Sequence, residues 1–362
     1  MLVSIFDTEV FSPIVDPWLV GTAFDSRWEL LFPAAPFNPA AGTWHIWFSH
    51  EHPDHFRPPT LNLIPPEVRA HVTVIVQSCP DRRLAQFMLG QGYGAVLKVE
   101  DGAAIPLSDA RGNVAGTITT VGCDFGDSCH LLELGGVRAL NTNDCDFVGA
   151  AGFAGVLAKP GADTAPVDLL VSQFSYANWV GNPDEGVLRQ NLAAHKLELL
   201  DRQVAVAKPL HTFPCASFIV FAHEENLYLN DHINDHINDV AKVCTRFKEV
   251  GTQPILLANG QTFPLNASGF VAMAEQIPVV ANSVAAEIGR VRTGSRAPLT
   301  TSIVPLDELR TVARNCLARL HSGVSRLDFA LMQRQLPRAV FELRDHEVLL
   351  VIDQPCVDAA NR

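Results

Sequence analysis

The sequence is short of positive charge. Its 27 lysines and arginines stand against 39 aspartates and glutamates, a formal net charge of −12. A nucleic-acid-binding surface needs a basic footprint, so charge excludes that class of partner and disfavours an anionic membrane surface as well. No apolar run reaches the roughly 18 residues of a bilayer-spanning helix. The opening stretch MLVSIFDTEVFSPIVDPW lacks the basic n-region of a secretory signal. A Cys-x-His pair is absent throughout, which excludes a Rieske iron–sulfur centre in this chain. The 8 cysteines (79, 123, 129, 145, 215, 244, 316 and 356) form no tight framework. They read as reduced, mostly buried thiols of a cytoplasmic protein.

What is present is a large apolar fraction, 48% against 18% charged residues in 362. That suits one large domain with an appendage. WHIWFS (44–49), HVTVIVQS (71–78), GAVLKVE (94–100), AGTITTVG (115–122), HLLELGG (130–136), VRALNTND (137–144) and VDLLVSQF (167–174) read as strands. LHTFPCASFIVF (210–221) reads as one further strand. Residues 80–92 and 186–209 carry helical spacing, the second stopping at Lys208-Pro209. Sheets covered by single helices predict an α/β protein with αββα layering. Residues 1–265 are assigned to this layered domain and 266–362 to a C-terminal α+β appendage, ending in a hairpin that turns at Asp345-His346. In NDHINDHIND (230–239), His232 and His236 lie four apart on one predicted helix face, where an amphipathic helix outweighs a metal site.

Histidine is the second concentration. Of 13 histidines, three fall between residues 50 and 55 of FSHEHPDHF (48–56). In an extended segment His50 and His52 project to the same side, because side chains alternate with period two. Pro53 breaks the strand, and Asp54 and His55 follow on the turn. Two ligand pairs are thereby presented to two neighbouring metal positions, an arrangement able to polarise a substrate oxygen.

This His-x-His-x-Asp-His run after an apolar strand resembles the metallo-β-lactamase superfamily. DPWLVGTAFDSRWELL (16–31), SHEHPDHFRPPTL (49–61), DSCHLLELGGVRALNTNDC (127–145) and PCASFIVFAHEENLYL (214–229) narrow the resemblance. Over residues 14–240 they resemble the metallo-β-lactamase-like domain of the CMP-N-acetylneuraminate hydroxylase family, without its Rieske domain. The resemblance implies a bridging acid at Asp144, with Asp146 as a competitor. It places the third ligand at Asp124, where the family has a histidine, with Asp127 and Cys123 as alternatives; His130 falls inside a strand and reads as a packed residue. The last ligand falls on His223, with His211 as the alternative. Asp16 is expected to hydrogen-bond a ligand histidine. QFSYANWVGNP (173–183) is expected to line the substrate pocket through Gln173, Ser175, Tyr176, Asn178 and Trp179.

The implied cofactor is a pair of divalent metal ions, with iron preferred over zinc or manganese because the donors are rich in carboxylate. Two functions follow. One is an oxygen-activating monooxygenase or hydroxylase of a small polar metabolite, using O2 and an external ferredoxin or reductase. The other is a hydrolase of a phosphoester, lactone, amide or lactam, in which Asp54 orients the nucleophile and Asp144 bridges the metals. A non-catalytic metal-binding protein is the remaining reading.

Overall fold

A computed structural model describes residues 3–4, 11–24, 26–35, 43–78, 83–108, 113–123, 127–145, 167–293, 305, 307–312, 314–315, 339–343 and 348–352. Its strands are β1 (Val3–Ser4), β2 (Phe11–Val15), β3 (Trp28–Leu30), β4 (Thr43–Phe48), β5 (Val72–Gln77), β6 (Ala95–Val99), β7 (Ala104–Ser108) and β8 (Val114–Gly122). They continue as β9 (Ser128–Leu134), β10 (Val137–Asn143), β11 (Leu169–Gln173), β12 (His211–Cys215), β13 (Ile219–Phe221), β14 (Gln253–Pro254), β15 (Ala339–Leu343) and β16 (Val348–Ile352). Residues 1–297 form one compact unit and 298–362 a second. In the second, β15 and β16 pair antiparallel as the expected terminal hairpin, whose turn at 345–346 lies outside the described residues.

Side-chain alternation sorts the first unit into layers. One sheet has the order β1-β2-β4-β5-β6, parallel from β2 onward. The other runs β14-β12-β11-β10-β9-β8-β7, parallel from β10 through β12 to β14 and antiparallel from β7 to β10. Along β5, Ile75 joins the core between the sheets, while Val72, Val74 and Val76 pack with Leu61, Ala85 and Met88 of the Pro58–Leu61 and Arg83–Gly90 helices. Beyond the second sheet, the Gly186–Ala207 and Val240–Glu249 helices contribute Leu200, Val204, Val243 and Phe247 to the core. The layers are therefore helix, sheet, sheet, helix, as expected from the sequence.

Trp47 of β4 is the pin between the sheets. It is 1% exposed, its indole donates to Thr120 Oγ at 3.2 Å, and its ring meets His130 of β9 edge-on at 4.2 Å. Trp47→Ala is expected to destabilise the protein by about 3–5 kcal/mol, read from denaturant unfolding of the metal-free protein. A loss under about 1 kcal/mol would contradict this role.

Three sequence expectations need correction. The 210–221 run is two strands in different sheets, β12 and β13, because Ala216 turns the chain with φ 57°. The NDHINDHIND repeat is not one helix but two 3₁₀ turns, Glu224–His232 and His236–Asn238, broken at Asn234 with φ 57°. Its acids are engaged by Arg189 and Arg292. Finally, Ala267–Thr293 is long and apolar enough, by length and composition alone, to pass as a membrane span. Here it forms two helices, Ala267–Glu275 and Ile277–Thr293, that bury Phe270, Met273, Val280, Val284, Ile288 and Val291.

Candidate metal centre

The site lies at the carboxyl ends of parallel strands, the edge where α/β sheets place their ligands. β4 ends at Phe48 and delivers residues 49–55; the neighbouring β2 ends at Val15 and delivers Asp16, whose φ of 41° turns it under the loop. Buried Asp16 accepts from the Ser49 backbone N–H at 2.8 Å and the Ser49 hydroxyl at 2.7 Å. It also accepts from His55 Nδ1 at 3.1 Å and Asn143 Nδ2 at 3.1 Å. One carboxylate thus ties β2, the histidine loop and β10 together. From the facing sheet, Ser128 Oγ donates to the Ser49 carbonyl at 2.8 Å. A one-residue shift in the β10–β11 register and a left-handed Asn143 (φ 50°) then aim Asp144 at the loop.

The imidazoles converge. His50 Nε2 is 2.7 Å from His52 Nδ1, and the His50 and His55 rings lie 4.2 Å apart. His55 Nε2 faces Asp54 Oδ2 and Asp144 Oδ2, each at 3.2 Å, and His50 Nδ1 is 3.5 Å from Asp127 Oδ1. Two donor sets result, His50–His52–Asp127 and His50–His55–Asp144, each with its ligand atoms within 4.8 Å of one another. Asp54 Oδ1 and Asp144 Oδ1 are buried with no hydrogen-bond partner. A buried carboxylate oxygen without a donor is costly, and a cation satisfies it. The donors fit a bound metal ion.

No family model matches the sequence, and no curated protein matches it. Among solved structures, the chain is similar to a variant of CmlA beta-hydroxylase, at 15% identity and a TM-score of 0.44, covering 69% of this chain and 49% of that one. The match therefore spans about half of the hydroxylase's length. The metallo-beta-lactamase fold protein YhfI from Bacillus subtilis is similar at 14% identity, TM-score 0.36, covering 60% of this chain and 76% of that one. Zn(2+)-bound PqqB from Methylobacterium extorquens is similar at 12% identity, TM-score 0.36, covering 61% and 71%.

The charges of this centre are strongly coupled. Burial alone depresses His55, but the Asp54 and Asp144 carboxylates override it and hold the imidazole well above its usual range. Burial raises Asp144 and Asp16, and in both cases His55 reverses the shift and keeps the carboxyl below its usual range. Burial, reinforced by the His55 charge, lowers His50 to about 4. Burial and the Asp144 charge lift Asp127 to about 6. Without metal, the His55 cation therefore stands among the acids.

These shifts set the sign of a pH dependence. His55, raised in the fold, stabilises fully below about 6.5 and loses that contribution as pH climbs through its folded value. His45, His50 and His130, each lowered to about 4, do the opposite between about 4 and 6.5, outweighing the raised Asp127. Melting temperatures of chelated protein should therefore peak near pH 6.5 and fall above it, a fall that metal loading removes by taking the place of the His55 Nε2 proton. A chelated protein whose melting temperature climbs steadily to pH 9 would contradict the His55 assignment.

The other expected site residues divide. Asp124 and Asp146 lie outside the described residues. Asp127, an alternative to Asp124, lies beside His50 among the described residues. Cys123 is bonded to Cys145 in a disulfide; the expectation of reduced thiols fails for this pair, while Cys129, Cys215 and Cys244 are buried. His211 opens β12, opposite the carboxyl ends, and stacks on Phe270 at 4.0 Å. His223, half-buried, heads the Glu224–His232 turn and belongs to neither donor set. Gln173 ends β11 and accepts from Lys196 Nζ at 3.3 Å. Tyr176 is fully buried and donates to the Leu229 carbonyl, Ser175 is fully buried, and Asn178 and Trp179 are exposed. Sequence reading missed Lys196, whose charge acts on Asp144. Its only signal was a single lysine in a helix, indistinguishable from a solvated one.

Proposed function

We propose that this chain is a dinuclear-metal hydroxylase that activates dioxygen to oxidise a small polar metabolite. The observation that carries the proposal is the donor count: His50–His52–Asp127 and His50–His55–Asp144 are each two histidines and one carboxylate. That set suits non-haem iron(II) oxygenases; catalytic zinc takes it as well, and the added carboxylate of Asp54 shifts the preference toward iron. Bound iron would supply the redox chemistry, with electrons from an external ferredoxin or reductase.

The protein's own residues prepare the site. Asp16 accepts the Ser49 hydroxyl proton, so Ser49 Oγ is left to accept from His50 Nδ1 at 2.9 Å. Asp16 likewise accepts from His55 Nδ1. Both contacts fix the tautomer that offers Nε2 as the ligand atom. His50, His52 and Asp127 hold one cation; Asp54, His55 and Asp144 hold the other. Gln173 and Lys196, beside Asp144, and Asn178 and Trp179 on the following loop, contact a polar substrate, while Ser175 and Tyr176 hold that loop in place. The protein acts in the cytoplasm and takes no nucleic acid or membrane partner.

A second reading, metal-dependent hydrolysis of a phosphoester, lactone, amide or lactam, draws on the unpartnered Asp54 Oδ1, an acceptor able to orient an attacking nucleophile. Metal analysis with a visible spectrum of freshly purified protein separates the two. Two irons per chain, with a colour that bleaches on reduction and returns with oxygen, is the expected result. Two zincs or manganeses, and turnover of a generic phosphodiester, would overturn it in favour of hydrolysis.

A further inference from the structure

The two acids that complete the donor sets sit on separate loops, and one covalent bond joins those loops. Cys145 directly follows Asp144. Cys123 follows the end of β8, and its backbone N–H donates to the Asp127 carbonyl at 2.8 Å, tying the two positions together. The Cys123–Cys145 disulfide, with Cα atoms 6.1 Å apart, spans the two. Gly122, beside Cys123, packs where any Cβ would strike the Gln77 amide at 1.9 Å, so the end of β8 is also pressed against the first sheet. Cys145 is 3% exposed, and its carbonyl accepts from Gln203 Nε2 at 3.4 Å. Cys123 is half-buried and presents the reachable sulfur.

We propose that the Cys123–Cys145 disulfide is a redox clasp on the metal centre: it holds the Asp127 and Asp144 loops at ligand spacing, and its reduction weakens metal binding. The inference rests on the two-metal reading above. The reaction is thiol–disulfide exchange with a dithiol reductant. A thiolate of the dithiol attacks Cys123 Sγ, the Cys123–Cys145 bond breaks, and Cys145 leaves as a thiolate that takes up a proton. The second thiolate of the dithiol then attacks the mixed disulfide, releasing Cys123 as a thiol and closing the reductant's own disulfide. Two electrons and two protons pass to the protein, and the reductant is oxidised by the same amount. A cytoplasmic reducing poise favours the open form and an oxidative challenge the closed one. The centre would thus bind metal most tightly under oxidation.

The test uses the full chain in two states, one oxidised with a small disulfide and one reduced with a phosphine that is then removed under anaerobic conditions. Zn²⁺ and Fe²⁺ affinities are read by competition with a chromophoric chelator, and alkylation with peptide mass mapping reports the state of Cys123 and Cys145. Reduction is expected to weaken binding by roughly 10- to 100-fold, the range for losing a support behind a metal ligand. Cys123→Ser, chosen because position 123 is the less buried, should sit at the weaker value and ignore reductant, with an unchanged far-UV spectrum. Equal, tight affinities in both verified states would overturn the clasp and leave the metal centre standing. Failure of the oxidised protein to link residues 123 and 145 would overturn it as well. Absence of metal binding in both states would overturn the centre and the clasp with it.

Discussion

His50→Ala should strip the ion held with His52 and Asp127 and weaken the other, because His50 belongs to both donor sets while its Nε2 can bind one cation. His52→Ala should remove only the ion held with Asp127. The two variants differ by a single step along the same loop, so the contrast isolates shared ligation from general damage. The expected loss of affinity at His50 exceeds roughly 100-fold, beyond the 10- to 100-fold attached to residues that merely support a ligand. His50 is buried and is lowered to about 4, so it is neutral near pH 7 and its removal leaves no charge unbalanced. The fold should therefore survive, as far-UV circular dichroism would report. Retention of both ions at full affinity in His50→Ala would show that His50 is not a ligand.

Asp144→Asn should cost more than its small change in shape suggests. The carboxylate faces His55 Nε2 at 3.2 Å, and its charge is one of the two that hold the His55 imidazole above its usual range. The amide removes an anionic ligand and that support together. The ion held with Asp54 and His55 should be lost, the other weakened by roughly 10-fold or more, and the His55 titration seen by NMR in chelated protein should move down. Asp127→Asn should release only the ion of the His50–His52 pair. If Asp144→Asn kept full metal stoichiometry and an unmoved His55 titration, the role assigned to this acid would be wrong.

Much of this was legible in the chain because the signals were local. FSHEHPDHF marked both the meeting of His50 with His52 and the turn at Pro53, although β4 already ends at Phe48 and the histidines stand on the loop beyond it rather than on the strand. The apolar alternation of 71–78 and the near-continuous run of 167–174 likewise fixed strands and their burial. What escaped depends on distant partners. Asp127 stands beside His50 because β9 lies against the β4 loop through Ser128, a contact across 79 positions. No spacing within 119–134 could place Asp127 there. Cys123 and Cys145 look like scattered thiols until β8 and the end of β10 are brought to one edge. The break at Ala216 was hidden for another reason. A left-handed alanine carries no compositional mark, so PCASFIV reads as continuous strand although the chain changes sheets there.

The decisive measurement is anomalous diffraction from crystals of the purified protein, collected above and below the iron and zinc absorption edges. Two peaks should appear roughly 3.5–4 Å apart, one bounded by His50, His52 and Asp127, the other by Asp54, His55 and Asp144. A single peak between His232 and His236, or none at the carboxyl ends of β4 and β10, would contradict the account.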